Sequence, residues 1–231
     1  MREPMLDVLT TGLCRPDLYE LSCRSFFSGR IKGLPPIHII LNVDPLGPGD
    51  PGAMFEVAHK FADKVTANVA STANFSRAIN WCAKQIQSDY VLHLEDDWLL
   101  LRSFSFEELR NSLSQSGFQQ LGLGYKKQKH PGPFSFRPSL VKAAAYNTVG
   151  PVPLNQNPEK FFAHSLDSKC SVDWLGHPLV TDMGRKWAKG HGFRGTGANS
   201  NWFVKRPQSL VSRADWILSK ARYQWISRRL I

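Results

Sequence analysis

The chain has 231 residues, of which 42% are hydrophobic and 21% are charged. This length suits one ordinary domain with a full core, and the composition excludes an intrinsically disordered chain. No apolar run approaches the ~18–20 residues of a membrane-spanning helix, and the amino terminus lacks the apolar stretch of a secretory signal. We therefore expect a cytoplasmic protein.

The formal net charge is +10. Such an excess attracts polyanions, which include nucleic acid, anionic lipid and nucleotide phosphates. Part of the excess lies in 206–231, where basic residues alternate with apolar and aromatic ones such as Trp216 and Trp225. This pattern predicts a basic helical segment. It either packs on the domain with a solvated basic face or contacts the inner face of a membrane.

Strands and helices alternate along the first part of the chain. We predict, in order, a strand over 6–11, a helix over 17–26, a strand over 37–43, a short helix around 54–61 and a weak strand over 64–68. The third of these is rich in β-branched residues, and the Pro- and Gly-rich stretch after it is typical of a loop. This alternation favours an α/β sandwich built on βαβ units.

The next elements have clearer local signals. Apolar residues recur at helical spacing from Phe75 to Ile86, with Asn74 or Thr72 as the cap, and an apolar strand follows. Ser105 and Glu108 form a capping box, which predicts a helix over 106–115.

Later elements are shorter and more interrupted. We predict a strand over 120–125 and then a long, mostly irregular region over 126–158 with a strand-like piece at 134–137. Asn157 and Pro158 are typical of a helix start. A last strand over 179–184 and a Gly-rich loop over 190–201 complete the described pattern.

The acid turn, Glu95, Asp96 and Asp97, directly follows the apolar run 90–94 and precedes another apolar stretch. Buried and clustered carboxylates are costly, so a chain that places them here neutralises them. A divalent cation with oxygen ligands, one that also holds phosphate, is the simplest neutraliser. An ordinary solvated acidic turn is the alternative, and the apolar flanks argue against it.

Polar residues also end the other predicted strands. Thr10 and Thr11 end the first strand, Asp44 ends the second, and Asn74 follows the third. Ligands of open α/β sheets bind at the carboxyl ends of the strands. We therefore expect these residues and the acid turn to meet at one edge of the sheet.

The order of these features resembles the nucleotide-diphospho-sugar glycosyltransferases of the GT-A fold, especially those like family 2. The resemblance rests on Thr10-Thr11 followed by Arg15-Pro16, on the N-x-x-x-A-x-N helix that starts at Asn74, and on an acid turn similar to the D-x-D metal motif. Glu95 in the first position departs from D-x-D. The resemblance covers residues 5–100 well and the rest loosely.

The resemblance implies a single domain with a Rossmann-like, mixed but mostly parallel central sheet flanked by helices. Residues 1–100 would form the nucleotide-sugar-binding half and 101–205 the acceptor-binding half. The donor would be a UDP-, GDP- or dTDP-linked sugar, and the acceptor a glycan, a lipid-linked glycan or a protein. A Mn²⁺ or Mg²⁺ ion would assist the transfer.

The resemblance also implies roles for single residues. Those that would contact the nucleotide sugar are Thr10, Thr11, Arg15, Asp44, Asn74, Arg77, Glu95, Asp96 and Arg185, with His191 as an alternative to Arg185. Asp97 would coordinate the metal ion that bridges the diphosphate, and Glu95 and His177 are further candidate ligands. A lone histidine is more often structural than a ligand, so His177 and His191 have a simpler interpretation.

An inverting transferase also needs a base that takes the proton of the acceptor hydroxyl. Similar enzymes use an acidic residue at the start of a helix, a place that Glu159 matches and for which Asp173 is the second candidate. Glu159 is equally well explained as a favourable charge in the first turn of a helix. The sequence leaves inversion and retention both open.

Two other classes of function remain as alternatives. A nucleic-acid-binding protein or metal-dependent nuclease would account for the positive charge and the acid turn together, but no RNA-binding aromatic signature or helix-turn-helix pattern is present. A sugar nucleotidyltransferase would need a Gly-rich phosphate loop after the first strand, and 11–14 is not one. We therefore expect a nucleotide sugar, and not nucleic acid, as the partner.

Overall fold

The computed structural model describes residues 5–124, 131–167, 169–190, 193–194 and 204–205. The strands are β1 (Leu6–Leu13), β2 (Ile31–Lys32), β3 (Ile37–Asp44), β4 (Lys64–Val69), β5 (Tyr90–His93), β6 (Trp98–Leu100), β7 (Phe104–Ser105), β8 (Gln120–Gly122), β9 (Ser139–Lys142), β10 (Ser171–Asp173), β11 (Val180–Asp182), β12 (Phe193–Arg194) and β13 (Val204–Lys205). The helices are α1 (Pro16–Phe27), α2 (Pro51–Phe61), α3 (Phe75–Ala83), α4 (Phe106–Gln115), α5 (Ala144–Val149), α6 (Pro158–Leu166) and α7 (Gly184–Gly190). Trp174–Gly176 forms a 3₁₀ turn.

Seven strands form the central sheet, in the order β10-β8-β9-β5-β1-β3-β4. Only β9 runs antiparallel to its neighbours among these seven. Every residue of β1 and β3 is buried, as expected of parallel strands covered by helices on both faces. The prediction of an α/β fold with a mostly parallel sheet is confirmed.

Two hydrophobic cores lie on opposite faces of this sheet. Because side chains alternate along a strand, Val8 and Ile39 belong to one core, whereas Leu9 and Ile40 belong to the other. Helices α1 and α2 pack together beside the first core, and α3 and α6 contact each other beside the second. The sheet is thus packed against helices on both faces.

Local capping rules explain where several helices start. The side chains of Asn74 and Asn157 accept hydrogen bonds from the amides three residues on, at 2.9 and 3.1 Å. Ser105 caps α4, which spans the predicted residues 106–115. The strand-like piece predicted over 134–137 is wrong. Phe134 and Phe136 lie in a loop, where they are buried and pack on Phe162.

The irregular region predicted over 126–158 also contains elements that the sequence did not reveal. Strand β9 pairs with β5 and β8, and α5 follows it. The apolar part of β9 is only Leu140-Val141, which is too short for a period of two to be recognised. Residues 125–130 lie outside the described part of the chain.

A small antiparallel pair, β6 with β11, brings the later chain back to the acid turn. Helix α7 starts directly after it, and its Trp187 packs in a small core with Leu18 of α1. Among the helices of the described segments, none has the length and apolar character that a bilayer span requires. The predicted basic segment 206–231 lies outside the described residues.

Candidate functional site

A cleft lies where β1, β3 and β5 end, at the edge that the sequence predicted. It encloses about 390 Å³, including its open mouth. Its lining residues are Thr11, Gly12, Leu13, Arg15, Asp44, Phe75, Ala78, Glu95, Asp96 and Asp97. Of the two threonines predicted to contact the nucleotide sugar, Thr11 lines the cleft. Thr10 is fully buried and does not line it.

Arg15 and the acid turn form the most tightly bonded part of the cleft. Arg15 Nε donates to Asp96 Oδ2 at 2.9 Å, and Nη2 donates to Asp96 Oδ1 at 2.5 Å and to Asp97 Oδ2 at 3.2 Å. The side chains of Arg15 and Asp96 are 3% and 2% exposed, and that of Asp97 is 16% exposed. Burial alone would lower the pKa of Arg15, but the two carboxylates raise it above its usual value. Both oxygens of Asp96 therefore serve an ion pair inside the protein.

Glu95 has a different environment. Trp98 Nε1 donates a hydrogen bond to Glu95 Oε2 at 2.9 Å. Burial raises the pKa of Glu95 well above its usual value, and the charges of Asp97 and Glu159 raise it further.

Asp44 lines the same cleft, at the end of β3. Its Oδ2 accepts the Asn74 amide at 3.0 Å, and its Oδ1 accepts Asn42 Nδ2 at 3.2 Å. Burial raises the pKa of Asp44 to about 6, and the nearby charge of Arg77 opposes that rise. The structure thus brings Asn74 and Arg77 to Asp44, as the predicted helix cap requires.

Asp182 and Gly184, to which the sequence assigned no role, lie beside the acid turn. Asp182 ends β11, beside the acid turn, and burial together with the charge of Asp97 raises its pKa. A Cβ atom on Gly184 would collide with the carboxylate of Asp97. The pairing of β11 with β6 brings them here, and two three-residue strands that are about 80 residues apart leave no periodic signal.

Trp187 is a further residue that the sequence did not single out. The guanidinium carbon of Arg15 lies 5.6 Å from the centre of the Trp187 ring, within cation–π range. Trp187 Nε1 donates to Asp17 Oδ2 at 2.9 Å. Helix α7 is in this way tied to the turn between β1 and α1.

The two candidate bases occupy unlike places. Glu159 Oε1 accepts both Ser135 Oγ and the Phe136 amide at 3.0 Å, and Glu159 lies close enough to Glu95 to raise its pKa. Asp173 ends the edge strand β10 and forms a buried ion pair with Arg137 at 2.7 Å. Of the two, Glu159 is the one that the structure places near the acid turn.

The remaining predicted residues lie at the margin or outside the cleft. His177 is bonded at Nδ1 to the Leu175 carbonyl at 3.0 Å and does not line the cleft. Arg185 is exposed, and its charge reaches Asp182. His191 lies outside the described residues.

Asp97 and Glu95 are the carboxylates of the acid turn that remain for a metal ion. Oxygen donors of this kind suit Mg²⁺ and Mn²⁺. However, the described ranges contain no group of three or more His, Cys, Asp or Glu side chains arranged to hold a metal. The residues therefore fit a partial site, in which a bound diphosphate and water would complete the coordination of the ion.

Known proteins with a similar structure exist, but no similar sequence was found. No protein-family model matches the sequence, and the search of curated proteins finds no match. The structure is similar to the mannosyltransferase PcManGT from Pyrobaculum calidifontis, solved with GDP-Man and Mn²⁺, at a TM-score of 0.62 and 10% identity. The match covers 82% of this chain and 61% of that one.

Two structures of S. aureus TarS are also similar. One has a TM-score of 0.57 at 8% identity, and the match covers 77% of this chain and 36% of that one. TarS 1-349 in complex with UDP-GlcNAc has a TM-score of 0.54 at 11% identity, with coverage of 77% and 58%. The chain thus spans less than two thirds of the length of each of these proteins. These likenesses confirm the predicted fold: the chain has the GT-A fold of nucleotide-sugar glycosyltransferases, and its likeness to family 2 is approximate.

Proposed function

We propose that this chain is a glycosyltransferase that moves a sugar from a nucleotide-diphosphate-sugar donor to an acceptor hydroxyl. The observation that carries the proposal is the convergence of Asp44, Arg15 and the acid turn on one cleft at the carboxyl ends of the strands. Structures with the same fold are described with GDP-Man and Mn²⁺ and with UDP-GlcNAc. The proposal extends a nucleotide-sugar ligand of this kind to this chain.

The nucleotide would lie between the ends of β1 and β3. Asp44 in its ionised form would accept a hydrogen bond from the base, since the Asn74 and Asn42 contacts fix the orientation of its carboxylate. Thr11 and Arg15 line the same cleft and would face the base and the diphosphate. A UDP-, GDP- or dTDP-linked donor is compatible with these groups.

The diphosphate would lie against the acid turn. Asp97, with Glu95 as its neighbour, would hold the Mn²⁺ or Mg²⁺ ion that the sequence predicted. When bound, such an ion stabilises the negative charge that develops on the leaving nucleoside diphosphate. A cation held there would favour the ionised form of Glu95, whose pKa burial and the charges of Asp97 and Glu159 raise.

Glu159 is the proposed general base of an inverting reaction. Its Oε1 is fixed by Ser135 and Phe136, which orients the carboxylate at the start of α6. It would take the proton of the acceptor hydroxyl as that oxygen attacks the sugar. Asp173 is the weaker candidate because its carboxylate is paired with Arg137.

The acceptor-binding region is proposed only from the predicted division of the chain into residues 1–100 and 101–205. Within the part of the chain that the structure describes, the residues that line the cleft all lie in 1–100, which supports the donor half of the proposed division. Residues 101–205 would then contact a glycan, lipid-linked or protein acceptor. Contact of the basic segment 206–231 with a membrane is a separate proposal.

A thermal-shift panel tests the donor proposal. The melting temperature should rise with at least one of UDP, GDP and dTDP in the presence of Mn²⁺ or Mg²⁺, because a ligand that binds the native state stabilises it. The matching nucleosides, which lack the diphosphate, are the control. A protein that ignores all three diphosphates yet binds DNA with a steep salt dependence would favour the nucleic-acid alternative.

A further inference from the structure

The Arg15 side chain is buried and is contacted on two sides. Its edge faces Asp96 and Asp97 through three hydrogen bonds, and its guanidinium lies against the Trp187 ring. Three segments far apart in sequence therefore meet at this one side chain: the β1–α1 turn, the acid turn and α7. Only 3% of the side chain is exposed, although it lines the cleft.

These contacts place a positive charge where the acid turn needs one. Asp96 and Asp97 are adjacent in sequence, and two ionised carboxylates this close repel each other. Nη2 of Arg15 contacts both, at 2.5 and 3.2 Å. The ligand-free protein thus already holds a cation that belongs to the chain itself.

We propose that Arg15 is the built-in counter-ion of the acid turn, which positions Asp96 and Asp97 and keeps the affinity of the ligand-free cleft for divalent cations low. A divalent cation would compete with the guanidinium for the same oxygens and would be repelled by its charge. The inference deepens the proposed function and rests on it in one respect. A bound diphosphate is the anion that would offset the charge of Arg15 and admit the ion.

The test is a titration of the nucleotide-free protein with Mn²⁺, followed by electron paramagnetic resonance of the unbound ion. Wild type should bind Mn²⁺ weakly. Arg15→Gln should bind it about tenfold more tightly, because the positive charge that contacts both carboxylates is removed. Arg15→Lys, which keeps the charge, should remain close to wild type in affinity.

Arg137→Gln is the matched control. Arg137 also pairs with a buried carboxylate, that of Asp173, but neither residue lines the cleft. Its Mn²⁺ affinity should therefore equal that of wild type. If Arg15→Gln binds Mn²⁺ no more tightly than wild type, or if Arg137→Gln shows the same gain, the proposal is overturned.

Arg15→Gln leaves the buried Asp96 without its partner, and this variant risks unfolding. The double variant Arg15→Gln/Asp96→Asn removes both partners and avoids that risk. It should still bind Mn²⁺ more tightly than Asp96→Asn alone, in which Arg15 faces only Asp97. Equal affinities of the double and single variants would overturn the proposal even if Arg15→Gln does not fold.

The same titration repeated with GDP, UDP and dTDP separates the counter-ion proposal from the proposed function. If none of the three nucleotides changes Mn²⁺ binding or binds by itself, the proposed function fails, while the comparison of Arg15 variants still decides the role of Arg15. If a nucleotide binds but Arg15→Gln gains no Mn²⁺ affinity, the counter-ion proposal fails and the proposed function stands.

Discussion

Buried carboxylates at the two ends of the central sheet differ in their hydrogen bonds and in the direction of their pKa shifts. At the amino ends of the strands, Asp7 Oδ1 contacts His38 Nδ1 at 2.7 Å, and His38 Nε2 contacts Thr66 Oγ1 at 2.8 Å. Asp7 Oδ2 accepts the amides of Gln87 and Ser88 at 2.5 and 2.8 Å. This network pins β1, β3 and β4 together.

The pKa values follow these surroundings. Burial alone would raise the pKa of Asp7, but the hydrogen bonds from His38, Gln87 and Ser88 outweigh it and lower the pKa. At the carboxyl ends, burial raises the pKa of Asp44, Glu95 and Asp182. Carboxylates that are satisfied by the protein hold a fold together, whereas carboxylates in excess at one cleft are typical of a functional site.

The largest expected effect is that of Asp97→Asn. We expect it to lower donor hydrolysis or sugar transfer about a thousandfold, because the charge that would anchor the cation is lost. The free energy of unfolding should change little, because relief of the repulsion with Glu95 and Asp182 offsets the loss of the ion pair with Arg15. Steady-state assays and urea denaturation measure the two quantities. Exposed Glu107→Gln is the control, and normal turnover of Asp97→Asn would contradict the role given to Asp97.

Asp7→Asn should have the reverse profile. It should lower the free energy of unfolding by about 3 kcal/mol, because it removes a buried carboxylate that is hydrogen-bonded to His38, Gln87 and Ser88. Nucleotide affinity of the folded fraction should not change. Urea denaturation with exposed Glu56→Gln as control measures the first effect. If Asp7→Asn lost nucleotide affinity but not stability, the claim that the amino-end network is structural would be wrong.

Gly184→Ala tests how closely α7 approaches the acid turn. The new Cβ would displace the Asp97 carboxylate, so nucleotide and cation binding should weaken about twentyfold, or roughly 2 kcal/mol. Gly117→Ala is the matched control, because a Cβ there meets no atom within 4 Å. Calorimetric titration of both variants measures the effect. Equal affinities would show that Asp97 is not confined by Gly184.

The pH dependence of nucleotide binding should report Asp44. Its pKa is raised to about 6, so the carboxylate is ionised at pH 7 and mostly protonated at pH 5. If the base binds the ionised form, affinity should fall about tenfold from pH 7 to pH 5. Asp44→Asn should bind weakly at both pH values. If nucleotide affinity of Asp44→Asn falls between pH 7 and pH 5 as it does in wild type, another group causes the pH dependence.

The smallest effect concerns stability in acid. Because the folded-state pKa of Asp7 is below its unfolded value, its contribution is present above pH ~4 and is lost as the pH falls through the folded pKa. Wild type should therefore lose stability below pH 4 more steeply than Asp7→Asn. Urea midpoints between pH 2.5 and pH 5 measure this difference, and parallel curves would contradict it.

Sequence reasoning found the elements with strong local signals. The stripe that starts at Phe75, the capping box at Ser105 and the polar strand ends predicted the sheet and the edge where the cleft lies. These signals come from residues within a few positions of one another, so they can be recognised without the fold.

The missed features depend on contacts between distant parts of the chain. The ion pair of Arg15 with Asp96 joins residues 81 positions apart, and Asp182 reaches the acid turn through two three-residue strands. The sequence predicted that the acid turn needs a cation, and it also singled out Arg15. Only the fold shows that Arg15 is itself the cation that pairs with Asp96.

The most direct test is a map of amide chemical shifts during titration with UDP, GDP or dTDP in the presence of Mg²⁺. The account predicts that at least one nucleotide shifts the amides of Leu13, Asn74 and Asp97 and leaves those of Gln87 and Ser88 unchanged. Shifts confined to the amino ends of the strands, or no shift with any of the three nucleotides, would contradict the claim that the carboxyl-end cleft is the functional site.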